Sequence, residues 1–199
     1  MNILGIGFAL AAGVFFGIIG PITKTAYNLG AGVGLAIFLR YIVALLIVAP
    51  LIPYQKDLIK TYKENLSNFL LITIASIMLT TGLLISVTYI NVSLTIIIFC
   101  TYPIIVLTIS IFITKEKIQN IIKILFVTTF FGLFLALSPS SESLKVQGII
   151  FALIASLGAS IMIVTNQTMS QKNISPIQIN IFINFFNTIF FFIILSIFF

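Results

Sequence analysis

Few residues in this sequence can do polar chemistry, and most of them stand inside apolar runs. Arg40 is the only arginine and falls within GLAIFLRYIVALLIV. An ionisable group in such a run marks a functional site unless it lies close enough to the membrane surface to snorkel to the headgroups. Asn180, Asn184 and Asn187 recur at i, i+4 and i+7, on one face of a helix. Each amide has donors and acceptors to satisfy, so the stripe is expected to face a bundle interior or a water-filled path, whether for a solute or for adhesion between helices. Pro103 interrupts another apolar run. A proline there removes one backbone hydrogen bond and frees a carbonyl to face a cavity, although a purely structural kink has the same signature. Tyr102 beside it and Thr95 could line the same face, whereas Thr73, Thr80 and Thr88 can each satisfy a carbonyl of their own helix.

What is missing narrows the chemistry further. Histidine is absent and Cys100 is the only cysteine, which removes the usual zinc, haem and Cys/His nucleophile constellations and any disulfide within the chain. Asp57, Glu64, Glu116 and Glu142 all fall between the apolar runs, so no carboxylate is placed to carry a proton mid-membrane. A phosphate loop ending at Lys24 would need glycine at 18 and 23, where Ile18 and Thr23 stand. No metal site, no cofactor and no enzymatic reaction is expected.

These residues must be positioned by membrane helices. The chain is 60% hydrophobic and 7% charged, with a mean hydropathy of +1.27, far from a soluble domain. Runs of about 20 apolar residues predict seven spans, at 3–22, 34–53, 68–89, 93–113, 121–138, 147–167 and 177–198. Polar residues in Tyr89-Ile90-Asn91-Val92-Ser93 divide the uncharged block 65–114 into a hairpin, and Ser138-Pro139 closes the fifth span. The net charge of +6 comes mostly from lysines flanking the spans, so it points to a bilayer and not to nucleic acid. Seven lysines lie in the loops after the second, fourth and sixth spans, against Lys24 and Lys145 on the other side. That bias predicts a cytoplasmic N-terminus. Lys24 itself reads as an interfacial anchor.

The spans repeat. Gly5, Ile6, Phe8, Ala9, Leu10 and Ala12 recur 143 residues later as Gly148, Ile149, Phe151, Ala152, Leu153 and Ala155. The small residues Gly5, Ala9, Gly13 and Gly17 lie four apart on one helix face, as do Gly148, Ala152, Ser156 and Ser160. Such ladders let membrane helices approach closely. One extra residue in the following loop aligns Arg40 with Asn184. Five spans separate the copies, an odd number, so the second copy begins on the opposite face of the membrane. Inverted repeats of this kind recur in secondary transporters, with the substrate path where they meet.

The small-residue first span ending Ile22-Thr23-Lys24, Phe38-Leu39-Arg40-Tyr41, the junction Val87–Leu94, Tyr102-Pro103-Ile104 and the charged hinge Thr114-Lys115-Glu116-Lys117 together resemble the EamA family of the drug/metabolite transporter superfamily. That resemblance implies two inverted five-helix halves. Residues 1–140 would form the first and 146–199 the first two helices of the second, giving an all-α polytopic membrane protein that is incomplete at its C-terminus. It further implies an exporter or permease for small metabolites, embedded in a bacterial inner membrane and working by alternating access. The rival expectation is a non-transporting remnant or structural subunit. Expected partners are the lipid bilayer, a small-molecule substrate, and either a second copy of the chain or the missing helices. Arg40, Tyr102, Pro103, Asn180, Asn184 and Asn187 are the expected substrate-path residues, with the two ladders as packing faces.

Overall fold

A computed structural model describes residues 3–55, 57–114 and 145–198, with 124, 127, 128, 130–132 and 135. Among the described residues there is no strand. The helices are α1 (Ile3–Asn28), α2 (Val33–Val48), α3 (Leu58–Glu64), α4 (Leu66–Tyr89), α5 (Val92–Phe99), α6 (Tyr102–Thr114), α7 (Val146–Gln171) and α8 (Pro176–Phe198). The 24 residues of α4 reach about 36 Å at 1.5 Å per residue, enough to cross a hydrocarbon core of about 30 Å. Counting α2 with its following turn and α5 with α6, six stretches in the described residues are long and apolar enough to span, where hydropathy predicts seven. The remaining one, 121–138, and its closing Ser138-Pro139 lie largely outside the described residues. Phe8, Phe15, Ile47 and Ile197 project outward from the bundle, the arrangement lipid solvates and water does not. The protein is an all-α, multi-pass membrane protein.

Three boundaries depart from the hydropathy reading. α1 runs on to Asn28 and does not stop at 22, because its last turns are held by α4: Lys24 Nζ donates to Val87 O at 3.0 Å and Tyr27 Oη to Leu84 O at 3.3 Å. α2 ends early in a 3-10 turn, Ala49–Tyr54, at Pro50 and Pro53. The short amphipathic helix α3 occupies what composition alone reads as loop.

The tightest contact is between α4 and α7, and glycine makes it. A Cβ on Gly82 would lie 2.6 Å from the Phe151 carbonyl oxygen and 2.7 Å from the Ala155 nitrogen; one on Gly158 would lie 2.6 Å from both Ala75 O and Leu79 N. Backbone therefore rests on backbone, the packing that small residues permit in a membrane. At one end of this contact Gly148 sits against Tyr89 and Ile90. α7 thus begins where α4 ends, and the two run antiparallel. α1 brings Gly20 to Val92 and Phe16 to Phe99, so it runs against α5, and α5 folds back on α4 with Ser86 beside Thr95; α1 and α7 therefore point in opposite directions.

The 143-residue offset between α1 and α7 is also kept in the backbone. α1 ends with Ala31 N donating to Ala26 O and Gly30 N to Tyr27 O, each at 3.0 Å, and Gly30 takes φ +91°. α7 ends with Ile174 N donating to Met169 O at 3.1 Å and Asn173 N to Ser170 O at 3.0 Å, and Asn173 takes φ +56°. Both are Schellman caps with a left-handed residue that glycine or asparagine tolerates. Gly30 and Asn173 are 143 apart, as are the starts of α2 and α8 at Val33 and Pro176. The extra loop residue expected from the alignment of Arg40 with Asn184 is therefore absent, since both connections are the same length.

α2 packs on α8 and α4 through Tyr41, whose ring stacks on Phe191 at 5.7 Å. Its hydroxyl lies 2.9 Å from Thr80 Oγ1 and 3.0 Å from Ser76 O, while Asn187 Nδ2 donates to Ser76 Oγ at 2.6 Å. All four side chains are buried, and the cluster pairs their polar atoms except Asn187 Oδ1, which is buried without a hydrogen-bond partner among the described residues. At the end of the bundle where α4 begins, Tyr62 of α3 sits edge-on to Phe69 and Phe182 and donates to Gln178 O at 2.8 Å. Burial raises its phenol to about 12.

Candidate functional site

The fourth span is discontinuous. Pro103 carries no N–H, so the i→i−4 bond that Phe99 O would accept in a continuous helix cannot form. The chain leaves the helix at Cys100 and Thr101 and restarts at Tyr102, with Pro103 in the first turn of α6, a position proline tolerates. The sequence predicts a kink within a continuous helix; the structure breaks it. Thr101 N and Oγ1 both donate to Ile98 O, at 3.1 and 2.8 Å, closing one short turn.

α7 supplies the groups that make this break tolerable away from water. Ser156 Oγ lies 2.9 Å from Thr101 Oγ1. Ser160 Oγ lies 3.0 Å from Tyr102 O and 2.8 Å from Ser156 O, so its one hydrogen serves either carbonyl. Further along the same contact Ser86 Oγ donates to Gly148 O and meets Thr95 Oγ1, both at 2.9 Å. Irregular backbone at membrane depth persists only where protein satisfies it or a cavity receives it, and here both conditions hold.

The cavity lies between α1 and the break and has a volume of about 260 Å³. α1 contributes Gly13, Phe16, Gly17, Ile19, Gly20 and Thr23; α4 contributes Leu83, Leu84 and Val87; α5 contributes Val92, Thr95, Ile96 and Phe99. Cys100 and Tyr102 complete the lining from the break itself. Phe99 stands between Phe16, at 5.9 Å, and Tyr102, at 5.2 Å, giving one wall three aromatic rings. Among the described residues no charged side chain lines it. Thr95 has spent its hydroxyl on Ser86 and Asn91 O. The Thr23 and Tyr102 hydroxyls and the Cys100 thiol have no hydrogen-bond partner among the described residues.

The residues singled out in the sequence do not converge on this place. Tyr102 lines the cavity and Pro103 creates the break. Arg40 does not line it; its Nη1 is buried without a hydrogen-bond partner among the described residues. The asparagine stripe divides. Asn180 is exposed, against the expectation that all three amides turn inward, and its Nδ2 donates back to Pro176 O at 2.9 Å. Asn184 is buried and donates to Asn180 O at 2.9 Å, while Asn187 belongs to the Tyr41 and Ser76 network. A helix can absorb asparagine by bonding it to its own carbonyl four residues back, which removes the need for a polar partner.

The ladders also divide. Gly148, Ala152, Ser156 and Ser160 are buried, whereas Gly5, Gly13 and Gly17 are exposed. A Cβ on Gly13 or Gly17 would meet nothing within 4 Å. Gly20, Thr23, Phe99 and Cys100 are not among the substrate-path residues expected from the sequence. Gly13, Gly17 and Gly20, small residues three and four apart, are the signal that could have found that wall. Among the described residues no group of histidine, cysteine or carboxylate side chains could hold a metal ion.

The EamA-like transporter family matches residues 3–138. No curated protein and no solved structure matches the chain.

Proposed function

Because the chain belongs to the EamA-like transporter family, we propose that it moves small metabolites across a membrane by alternating access, holding them in the cavity at the break of the fourth span. The observation that carries this reading is the discontinuous helix opening onto that cavity. Transporter sites are typically built at broken helices near the bilayer midplane, where freed backbone and a few side chains meet the solute. α4 and α7 are locked together by glycine contacts, whereas α1 is fastened to α4 mainly near its end, by Lys24 and Tyr27. Rocking α1 about that fastening would open and close the cavity and leave the α4–α7 pair intact.

In this reading residues 1–140 and 146–199 are the two members of an inverted repeat, supported by the opposite directions of α1 and α7 and by the 143-residue offset of their caps. The chain is read as lying in a bacterial inner membrane with its N-terminus in the cytoplasm, an orientation supported by the lysine bias. The protein makes and breaks no covalent bond; it supplies a path and a switch. Uptake of labelled metabolites into liposomes containing the purified chain tests this. Transport above the rate of empty liposomes is expected for at least one solute, and a rate equal to empty liposomes across the panel would overturn the reading.

A further inference from the structure

We infer that the cavity takes a compact solute bearing no ionised group: a largely apolar, ring-sized molecule with one hydroxyl or N–H. This rests on the reading of the cavity as the substrate site and goes beyond it by fixing the chemical class. Charge and space select this class. Among the described residues the lining offers no counter-charge of either sign, and an ion leaving water for such surroundings pays a desolvation cost that this wall does not repay. Lys24 follows Thr23 in the chain, but its ammonium is committed to the orphan carbonyl of Val87 in the last turn of α4 and is not part of the wall. Arg40 does not line it, nor do the described carboxylates Asp57 and Glu64, the latter paired with Lys60 on the exposed α3.

What the wall does offer is aromatic surface and a few unused polar atoms. Phe16, Phe99 and Tyr102 form one side, and the glycine face of α1 the other. The hydroxyls of Thr23 and Tyr102 can orient a single polar group. A dry cavity of about 150 Å³ is enough for benzene, so 260 Å³ accommodates a fused bicycle such as indole. A zwitterion, neutral overall, is excluded as firmly as an ion, because both of its charges would lie in the same uncharged lining.

Cys100 lines the cavity and is the only cysteine, so its alkylation reports occupancy without any transport. The experiment exposes the full chain in liposomes to N-ethylmaleimide, a neutral membrane-permeant reagent, and follows modification by mass spectrometry. Indole, indole-5-carboxylate, tryptamine and tryptophan serve as size-related neutral, anionic, cationic and zwitterionic probes. Indole at ten times its dissociation constant is expected to slow alkylation about tenfold, with the other three near the unprotected rate. Tyr102→Phe keeps the ring and should weaken indole protection severalfold. Gly17→Leu, which projects into open space, should abolish it.

Equal protection by a charged probe, or protection by none, overturns the inference. Protection by indole that survives Gly17→Leu overturns it as well, since solute dissolved in the bilayer would then be the cause. Protection by indole alone, combined with no transport of any solute, supports the inference and overturns the transporter reading.

Discussion

α1 and α7 carry nearly the same small residues in the same order and end in the same cap, yet they do opposite things with them. In α7 the face is spent: Gly148, Ala152, Ser156 and Ser160 are buried, and Gly158 lets the helix rest on the backbone of α4. In α1 the equivalent Gly5, Gly13 and Gly17 are exposed, and Gly13 and Gly17 look into a cavity. One substitution within the repeat marks the change, because Phe15 of α1 stands 143 residues before Gly158 and points outward. A helix that cannot bring backbone to backbone leaves room beside it. The difference teaches that a small-residue ladder gives closeness only if its partner is also small at the crossing, as Ala75 and Gly82 are on α4.

The sharpest way to break this comparison is to make one substitution in both helices. Gly158→Ala forces a methyl within 2.6 Å of Ala75 O and Leu79 N, and should destabilise the protein by about 1–3 kcal/mol. Gly17→Ala meets nothing within 4 Å and should stabilise it by about 0.5–1 kcal/mol, the gain from removing a helical glycine. Thermal unfolding in detergent, followed by circular dichroism, reads both; shifts of the same sign would show that the two faces are equivalent. Gly82→Ala should behave as Gly158→Ala does.

The serines of α7 sharpen the comparison from the other side. Ser160→Ala removes the hydroxyl shared between Tyr102 O and Ser156 O, and should cost about 1 kcal/mol, with the loss concentrated at the break. Faster hydrogen exchange at residues 101–104, with the middle of α4 unchanged, is the expected signature. Gly17→Ser, at the position equivalent to Ser160 in α1, should leave exchange there unchanged. A smaller effect is expected at the fastening of α1. Lys24→Met removes a cation from the C-terminal end of α4 and should cost about 0.5 kcal/mol by thermal unfolding.

The smallest effect lies at the opposite end of the bundle. Tyr62 is held protonated, its phenol raised to about 12 from an ordinary value of 10. Its contribution is complete below pH 10 and fades as pH rises towards 12, because the unfolded chain releases the proton first. Tyr62→Phe should flatten the wild-type loss of melting temperature between pH 9.5 and about 11.5. An identical slope in both proteins would remove the role given to this phenol.

Much of the architecture was legible because the bilayer imposes it. Apolar runs of fixed length place α4, α7 and α8 within a few residues, and Asn91 in the hairpin caps α5 by accepting from Leu94 N at 2.8 Å. Pro103 was legible as a defect, since a missing N–H has consequences at any depth. Its scale was not, because whether a proline kinks a helix or breaks it depends on what else can satisfy the backbone. Ser156 and Ser160 decide that from 53 and 57 positions away. The asparagine stripe misled for a related reason: periodicity shows that three amides share a face, but not that two of them bond to their own helix. Gly82 and Gly158 were invisible as a pair, since a crossing point belongs to two helices at once and to neither pattern alone.

The central claim is that a solute crosses through the space beside the broken fourth span. It is tested most directly by comparing wild type with Gly17→Leu in liposomes, after thermal unfolding has shown that both are folded. Uptake of a neutral ring-sized solute is expected for wild type and only the empty-liposome rate for Gly17→Leu, at a melting temperature no lower than that of wild type. Equal uptake by the two proteins would show that the path lies elsewhere.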